Sequence, residues 1–557
     1  MTLRSHLATT LALLSLTGCV RPTIAPSLAR TSAEISEQDL RHRLFAIAHD
    51  SLMGRETGSE GAFKATSYIA AEFARLGLQP AGDGGTYFQI VPMWRAAVDP
   101  QSRIEVAGTT LEVGRDFLPG SVAAPSRVLD NTPVIYGGPA LDTSRWIATE
   151  RAAGKIVVLD MPADAAPRGI ASLGTRWRGA IAVAIVMLDR VGAETATRLR
   201  VGRPTPDSAP NASAMPVLWV TRRAAAVLLG AAPETLTPGA AGATTRGRFG
   251  IMRTPVAFPA RNVVAILRGS DPALRAQYLA LTAHNDHVGF DHSPVDHDSL
   301  RAFNTVVRPM GADSPPRDAT PAEWSRVRVI LDSLRRMNPP RLDSIRNGAD
   351  DDGSGTAAIL EIAERLAGDA TRPRRSLLFV SHTGEEAGLL GSRWYADQPT
   401  VPRDSIVAEI DQDMIGRGTS RDFPRDGTGA GSDTYLEVVG AKRLSRAFGE
   451  MLEAANARQP IPFVFDYTYD QPGHPLQYYC RADHYNYARY GIPSVSISRG
   501  EHQDYHQITD EAQYISYRDL ARVARMVHDG ARAIADAAER PKLDAPKPTD
   551  PNVVCRQ

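Results

Sequence analysis

Apolar positions along this chain fall into two textures, and the boundary between them predicts its organisation. From residue 256 onward come short, nearly unbroken apolar runs: "NVVAILRG", "YLALTAH", "RSLLFVSH", "SIVAEIDQDM", "FVFDYT" and "PSVSISRG". Runs of that kind read as strands covered on both faces. Between many of them the apolar residues recur at helical spacing, in "GTAAILEIAERLAG", "GLLGSRWYAD", "RLSRAFGEMLEAAN" and "YRDLARVARMVHDGARAIADAAER". Earlier, "SEGAFKATSYIAAEFARLGL" carries the same period through Tyr68, Ile69, Ala71, Phe73 and Leu76 and stops at a glycine. Strand and helix alternating in this way predict an α/β fold with a mostly parallel central sheet flanked by helices. In such sheets chemistry collects at the carboxyl ends of the strands.

From residue 101 to 255 the pattern changes to short β-like runs ("KIVVLDM", "AIAVAIVML", "MPVLWVT") separated by Pro, Gly and Ala-rich turns. With a helix before it and the alternation after it, this block reads as a β-rich insertion in a domain made of residues 36–100 and 256–540. It resembles the protease-associated (PA) domain through "GKIVVLDMP", "RGAIAVAIVM" and "MPVLWVTRRAAAVLL".

The chain ends are of another kind. "MTLRSHLATTLALLSLTGC" has a basic start at Arg4, an apolar stretch from Leu7 to Leu16 and then small residues, which is a secretory signal too short to span a bilayer. Its end, "LTGC", resembles the lipobox of bacterial lipoproteins. The resemblance implies cleavage before Cys19, a lipid on that cysteine, and a place in the cell envelope. Val20 beside it leans towards the outer membrane. Residues 20–35 read as a tether and 541–557 as a flexible, Pro- and charge-rich tail. Cys480 and Cys555 remain, and the sequence leaves their pairing open. Of 557 residues, Lys+Arg and Asp+Glu each number 63, and that balance gives no footprint for nucleic acid.

The strand ends carry the chemistry. "LTAHNDHVG" offers His284 and Asp286; "NGADDDGSG" offers Asp350, Asp351 and Asp352 directly before a helix; "SHTGEEAGLLGS" supplies Glu385 and Glu386. "EIDQDMIGRG" adds Asp411 and Asp413, and "EHQDYHQITDEA" adds His502 and His506. Each has an ordinary structural explanation alone, since acidic turns cap helices. Five such loops at one sheet edge point instead to a metal site. Mixed His and carboxylate donors without Cys suit zinc, or less selectively another divalent metal.

In order, "AHNDHVG", "NGADDDGSG", "GEEAGLLGS", "DMIG", "RADHYNYARYGIP" and "DYHQITDEA" resemble the co-catalytic di-zinc aminopeptidase family, whose superfamily includes bacterial leucyl aminopeptidases, glutamate carboxypeptidase and the transferrin receptor. The resemblance implies two Zn²⁺ held by His284, Asp351, Glu386, Asp413 and His506, with Asp351 bridging. It implies that Glu385 is the general base, taking a proton from the attacking water and passing it to the leaving amine. Asp286 would hydrogen-bond the far nitrogen of His284, Tyr479 would help hold the oxyanion, and Asp483 and His484 would support the site. Residues 290–346 lengthen the family's usual connection, and His287, His292 and His297 read as part of a polar surface loop. The function implied is an exopeptidase on peptide substrates, foremost an aminopeptidase. A carboxypeptidase or dipeptidase, a metal-free binding protein and a glutaminyl cyclase are the alternatives. The sequence leaves oligomeric state open.

Overall fold

A computed structural model describes residues 31–557 apart from 163–175, 178, 207, 338, 419–421, 423–431, 545, 554 and 556. The signal, Cys19 and the first part of the tether lie outside the described residues. Among the described residues no helix is long and apolar enough to cross a membrane.

Six strands make the body of the main sheet: β1 (Ala260–Leu267), β2 (Tyr278–His284), β3 (Ser376–His382), β4 (Ile406–Gln412), β5 (Tyr435–Val439) and β6 (Ser494–Ser498). Their order in space is β1–β3–β2–β4–β6–β5. The inner pairs β3–β2, β2–β4 and β4–β6 are parallel, while β1 and β5 run antiparallel to their neighbours. Parallel strands must be covered on both faces, and β2, β3 and β4 are buried along almost their whole length, with apolar runs that give way to polar residues towards their carboxyl ends. One face carries α1 (Glu37–Ile47), α2 (Glu60–Arg75), α3 (Gly353–Gly368), α4 (Arg446–Ala457) and α5 (Tyr517–Asp536), packed into one large apolar core. The other face is covered by a smaller cluster around Tyr395 and Tyr487. A buried guanidinium ties three of the helices together, with Arg43 on α1 bonding Glu72 of α2 at 2.6 Å and Glu361 of α3 at 2.8 Å.

One strand escapes a reading of apolar runs. In β5, "YLEVV", Glu437 interrupts the run, although all five residues are buried. The four parallel strands end at one edge, so β2, β3, β4 and β6 deliver His284, the Glu385–Glu386 loop, Asp413 and the loop to His506 side by side.

Residues 103–249 build a separate eight-stranded sheet with its own cores, one against the helix Arg222–Leu229 and one around Trp177. The chain enters it through Trp94–Val98 and leaves through Ile251–Pro255, and these two strands pair antiparallel from Trp94–Pro255 to Val98–Ile251. The stretch from 290 to 345 is also folded. Phe290–Asp296 pairs with Leu342–Ile345, and the helices His297–Val307 and Pro321–Met337 share a small apolar cluster.

The expected surface loop therefore needs correcting. His287 and His297 are both 1% exposed, and His297 is held between Asp298 and Glu511. His292 alone of the three is exposed. The C-terminal segment is corrected too, because specific contacts outweigh its unstructured composition. A disulfide joins Cys480 to Cys555, Lys547 pairs with Asp404 at 2.6 Å, and Arg489 donates to the carbonyl of Pro551.

Candidate metal centre

The five expected donors converge. His284 Nε2 lies 3.1 Å from Asp351 Oδ1 and 3.6 Å from Asp413 Oδ1. His506 Nε2 lies 3.0 Å from Asp351 Oδ2 and 2.9 Å from Glu386 Oε2. Asp351 thus presents one oxygen to each histidine, which is the placement of a carboxylate shared by two sites. The spare oxygens Asp351 Oδ2, Glu386 Oε1 and Asp413 Oδ1 are buried and form no hydrogen bond. Unsatisfied buried oxygens cost about 1–3 kcal/mol each, and two divalent cations, one on each side of Asp351, would satisfy them. The donor set of imidazoles and carboxylates fits zinc.

Local structure explains each position. The turn before α3 is fixed by Asp510, whose carboxylate accepts the amides of Asp350 and Asp351. Asp352 caps α3, accepting Gly355 N at 2.8 Å and the amide of His284 at 3.1 Å, and an oxygen of its carboxylate lies within 4.8 Å of donor atoms of His284 and Asp413. From the opposite side Arg55, fully buried, donates to the carbonyls of Ile47, Asn285, Asn347 and Gly348. His506 sits at φ 55, a left-handed conformation costing about 1–2 kcal/mol for a residue with a Cβ.

The adjacent glutamates divide sharply. Burial pushes both carboxyls up, but His506 and then His287 outweigh it at Glu386 and bring that group down to about 2. Glu385 has no such contact. Burial, with the charges of Glu386 and Asp413 added, holds it well above the usual carboxylate range. The two neighbours are thus pushed in opposite directions.

Asp286 does not play the expected part. The far nitrogen of His284 meets the main-chain carbonyl of Asp286 at 3.1 Å, while the carboxylate is 3.7 Å away. That carboxylate instead accepts the hydroxyl of Thr57 at 2.7 Å and the amide of Glu385 at 3.2 Å, so it holds the backbone of the glutamate loop. Tyr479 is also corrected. Its ring packs under Arg443 and against His484 in an apolar cluster with Val439 and Ala488. Its neighbour Tyr478 and Tyr505 face the cavity beside the donors. Asp411 is tied to Thr282 at 2.8 Å, His502 lies 3.2 Å from Asp350, and neither joins the donor cluster. Asp483 and His484 are buried outside it, burial raising Asp483 to about 7 and lowering His484 to about 3.

Two spaces open at the cluster. A small cavity is lined by Asp351, Glu385, Asp413 and His506 and also by Glu437, which no strand-end motif contains, and Glu501, the first residue of "EHQDYHQITDEA". A larger cleft of about 650 Å³ runs from Asp286, His287 and Glu386 towards Ser121, Arg198 and Arg203 of the 103–249 unit and its flanks. His287 also joins the donors, with Asp351, Glu386 and His506. Its signal in the sequence was only a second histidine in "AHNDHVG".

Residues 262–531 match the family model described as Peptidase family M28. A leucine aminopeptidase 1 of Paracoccidioides brasiliensis is 30% identical over 227 residues, 36% of this chain and 54% of that protein. A probable zinc metalloprotease of Pyricularia oryzae is 26% identical over 216 residues, 34% of this chain and 42% of that protein. The chain thus spans about half or less of the curated relatives it matches. Among solved structures, a zinc aminopeptidase from Bacillus subtilis shares the fold with a TM-score of 0.50 at 16% identity, over 90% of this chain and 95% of that one.

Proposed function

We propose that this chain, whose residues 262–531 match the model of Peptidase family M28, is a zinc-dependent exopeptidase that removes residues from the amino end of peptides. The observation that carries the reading is the shared carboxylate of Asp351, set between His284 and Asp413 on one side and His506 and Glu386 on the other. Those five residues would hold two zinc ions. Bound there, the ions supply a Lewis-acid hold on the scissile carbonyl and an acidified water to attack it. Glu385 would accept the proton released in the attack and deliver it to the leaving nitrogen, a transfer suited to a carboxyl held above its ordinary range. Asp286 keeps Glu385 in place through its amide.

The small cavity supports amino-end polarity. Glu437 and Glu501 in its wall suit a free ammonium group. A carboxypeptidase would need an uncommitted cation there, whereas Arg481 in the same wall already lies 2.9 Å from Asp313 and 3.7 Å from Glu501. The remaining peptide would extend into the larger cleft, so the block at 101–255, read as a PA-like insertion, would form one wall of the substrate channel. The lipobox-like start supports an exported protein anchored through Cys19 and acting on peptides in the cell envelope.

The test is a digest of defined peptides followed by mass spectrometry, with and without a chelator. Ladders shortened from the amino end and abolished by chelation are expected. Loss from the carboxyl end would reverse the polarity, and absence of cleavage by zinc-loaded protein would overturn the enzyme reading.

A further inference from the structure

The geometry points to His287 as a fourth protein donor to the zinc site formed by Asp351, Glu386 and His506, which would make the two sites unequal; this rests on the di-zinc reading above. His287 Nδ1 lies 2.8 Å from Glu386 Oε1 and 3.7 Å from Asp351 Oδ2. Four donors at tetrahedral angles about 2.0–2.1 Å from a common ion lie about 3.3 Å apart. With Glu386 donating through Oε1, the edges to and between its neighbours run 2.8 Å (Glu386 to His287), 3.0 Å (Asp351 Oδ2 to His506) and 3.7 Å (Asp351 Oδ2 to His287), which bracket that spacing.

Neither ring nitrogen of His287 forms a hydrogen bond, and the same holds for Glu386 Oε1 although it is so close. One donor atom each from His287, Asp351, Glu386 and His506 lies within 4.8 Å of the other three, a grouping that can close around one ion. The imidazole is 1% exposed, so neither nitrogen is left to bulk water, and a cation at Nδ1 would satisfy that atom.

The ring is also held in that orientation. Gly348 has φ +55 and no side chain, and a Cβ there would fall 2.4 Å from Cγ and 2.6 Å from Cδ2 of His287. The Gly348 carbonyl is anchored by Arg55 at 2.9 Å, and His506 meets the ring edge-on with centroids 5.5 Å apart. With Nδ1 as donor, Nε2 carries the ring proton. The consequence is a division between the ions. Four protein donors close one site, as in structural zinc centres, whereas His284, Asp351 and Asp413 leave the other with an open position.

X-ray absorption of the zinc-loaded wild-type chain tests this without a substitution. Three imidazoles across two ions are expected, from His284, His287 and His506; two would overturn the inference and leave the peptidase reading intact. Titration of His287→Ala with zinc against a competing chelator, with circular dichroism to verify folding, should show one ion bound about tenfold or more weakly and the other unchanged. Unchanged affinity for both ions overturns the inference. Absence of zinc uptake by wild-type protein overturns the peptidase reading and this one with it.

Discussion

Arg55 donates to the carbonyl of Gly348 at 2.9 Å and, through Nε, to that of Asn285 at 3.0 Å, so one guanidinium joins the two loops that bring His284 and Asp351 together. It also places a positive charge among Asp286, Asp351, Asp352 and Asp510. Replacing it by methionine keeps much of its volume but strands its acceptor carbonyls. Arg55→Met should lose about 3 kcal/mol or more of stability in denaturant unfolding. It should also release zinc faster to a chelator. Wild-type behaviour in both measurements would mean that the loops hold their shape without the clamp.

The opposite shifts of Glu385 and Glu386 give their substitutions different signatures. Glu385→Gln should retain both zinc ions by elemental analysis while kcat falls about 10²- to 10⁴-fold. Glu386→Ala should lose metal along with activity. Two variants with the same metal content would remove the distinction.

Glu437 and Glu501 titrate unusually high. Burial, reinforced for Glu437 by the charge of Glu501, raises Glu437 to about 8, and burial raises Glu501 to about 7. Because the folded protein holds these protons more tightly than the unfolded chain, with its ordinary value of 4.5, the two groups should lower stability as pH climbs from there through 7 and 8. Binding runs the other way. A peptide amine keeps its proton to about pH 7.7, so ionising Glu501 between pH 6 and 7.5 should lower KM for a free amino terminus. Glu501→Gln should flatten that slope and an acetylated peptide should show none; a KM independent of pH in the wild type would separate these carboxyls from the substrate.

The bond between Cys480 and Cys555 spans 75 residues and fixes the C-terminal segment beside the turn that carries Tyr478 into the cavity. Cys555→Ser should cost about 2–4 kcal/mol and raise KM more than it lowers kcat. Thermal unfolding with and without reductant, matched to the variant, would check the first part, and initial rates the second.

Legibility in the sequence followed burial. Strands β2, β3 and β4 declare themselves because parallel strands have no polar face, and their ends then locate His284, Glu386 and Asp413. Strand β5 stayed hidden because Glu437 leaves it only two apolar residues on either side, whereas β4 opens on the unbroken run Ile406–Ala408. Whether Tyr478 or Tyr479 faces the donors depends on a single 3-10 turn entered through Gln477 at φ 52, and neighbours on such a turn diverge by a third of a circle. The carboxylate of Asp286 and the ring of His287 were settled by backbone direction after the strand ends, which no periodicity encodes.

The paired strands Trp94–Val98 and Ile251–Pro255 bring the two ends of a long excursion within a ladder's width of each other. For the main sheet, everything beyond that pairing is topologically the tip of a hairpin. The entropic charge for closing a loop grows only with the logarithm of its length, so a unit with its own cores can be carried there almost as cheaply as a turn. A third strand, Arg203–Thr205, pairs with Trp94–Ala96 along the same neck, so the backbone that joins the two units also carries Arg203 to the wall of the cleft.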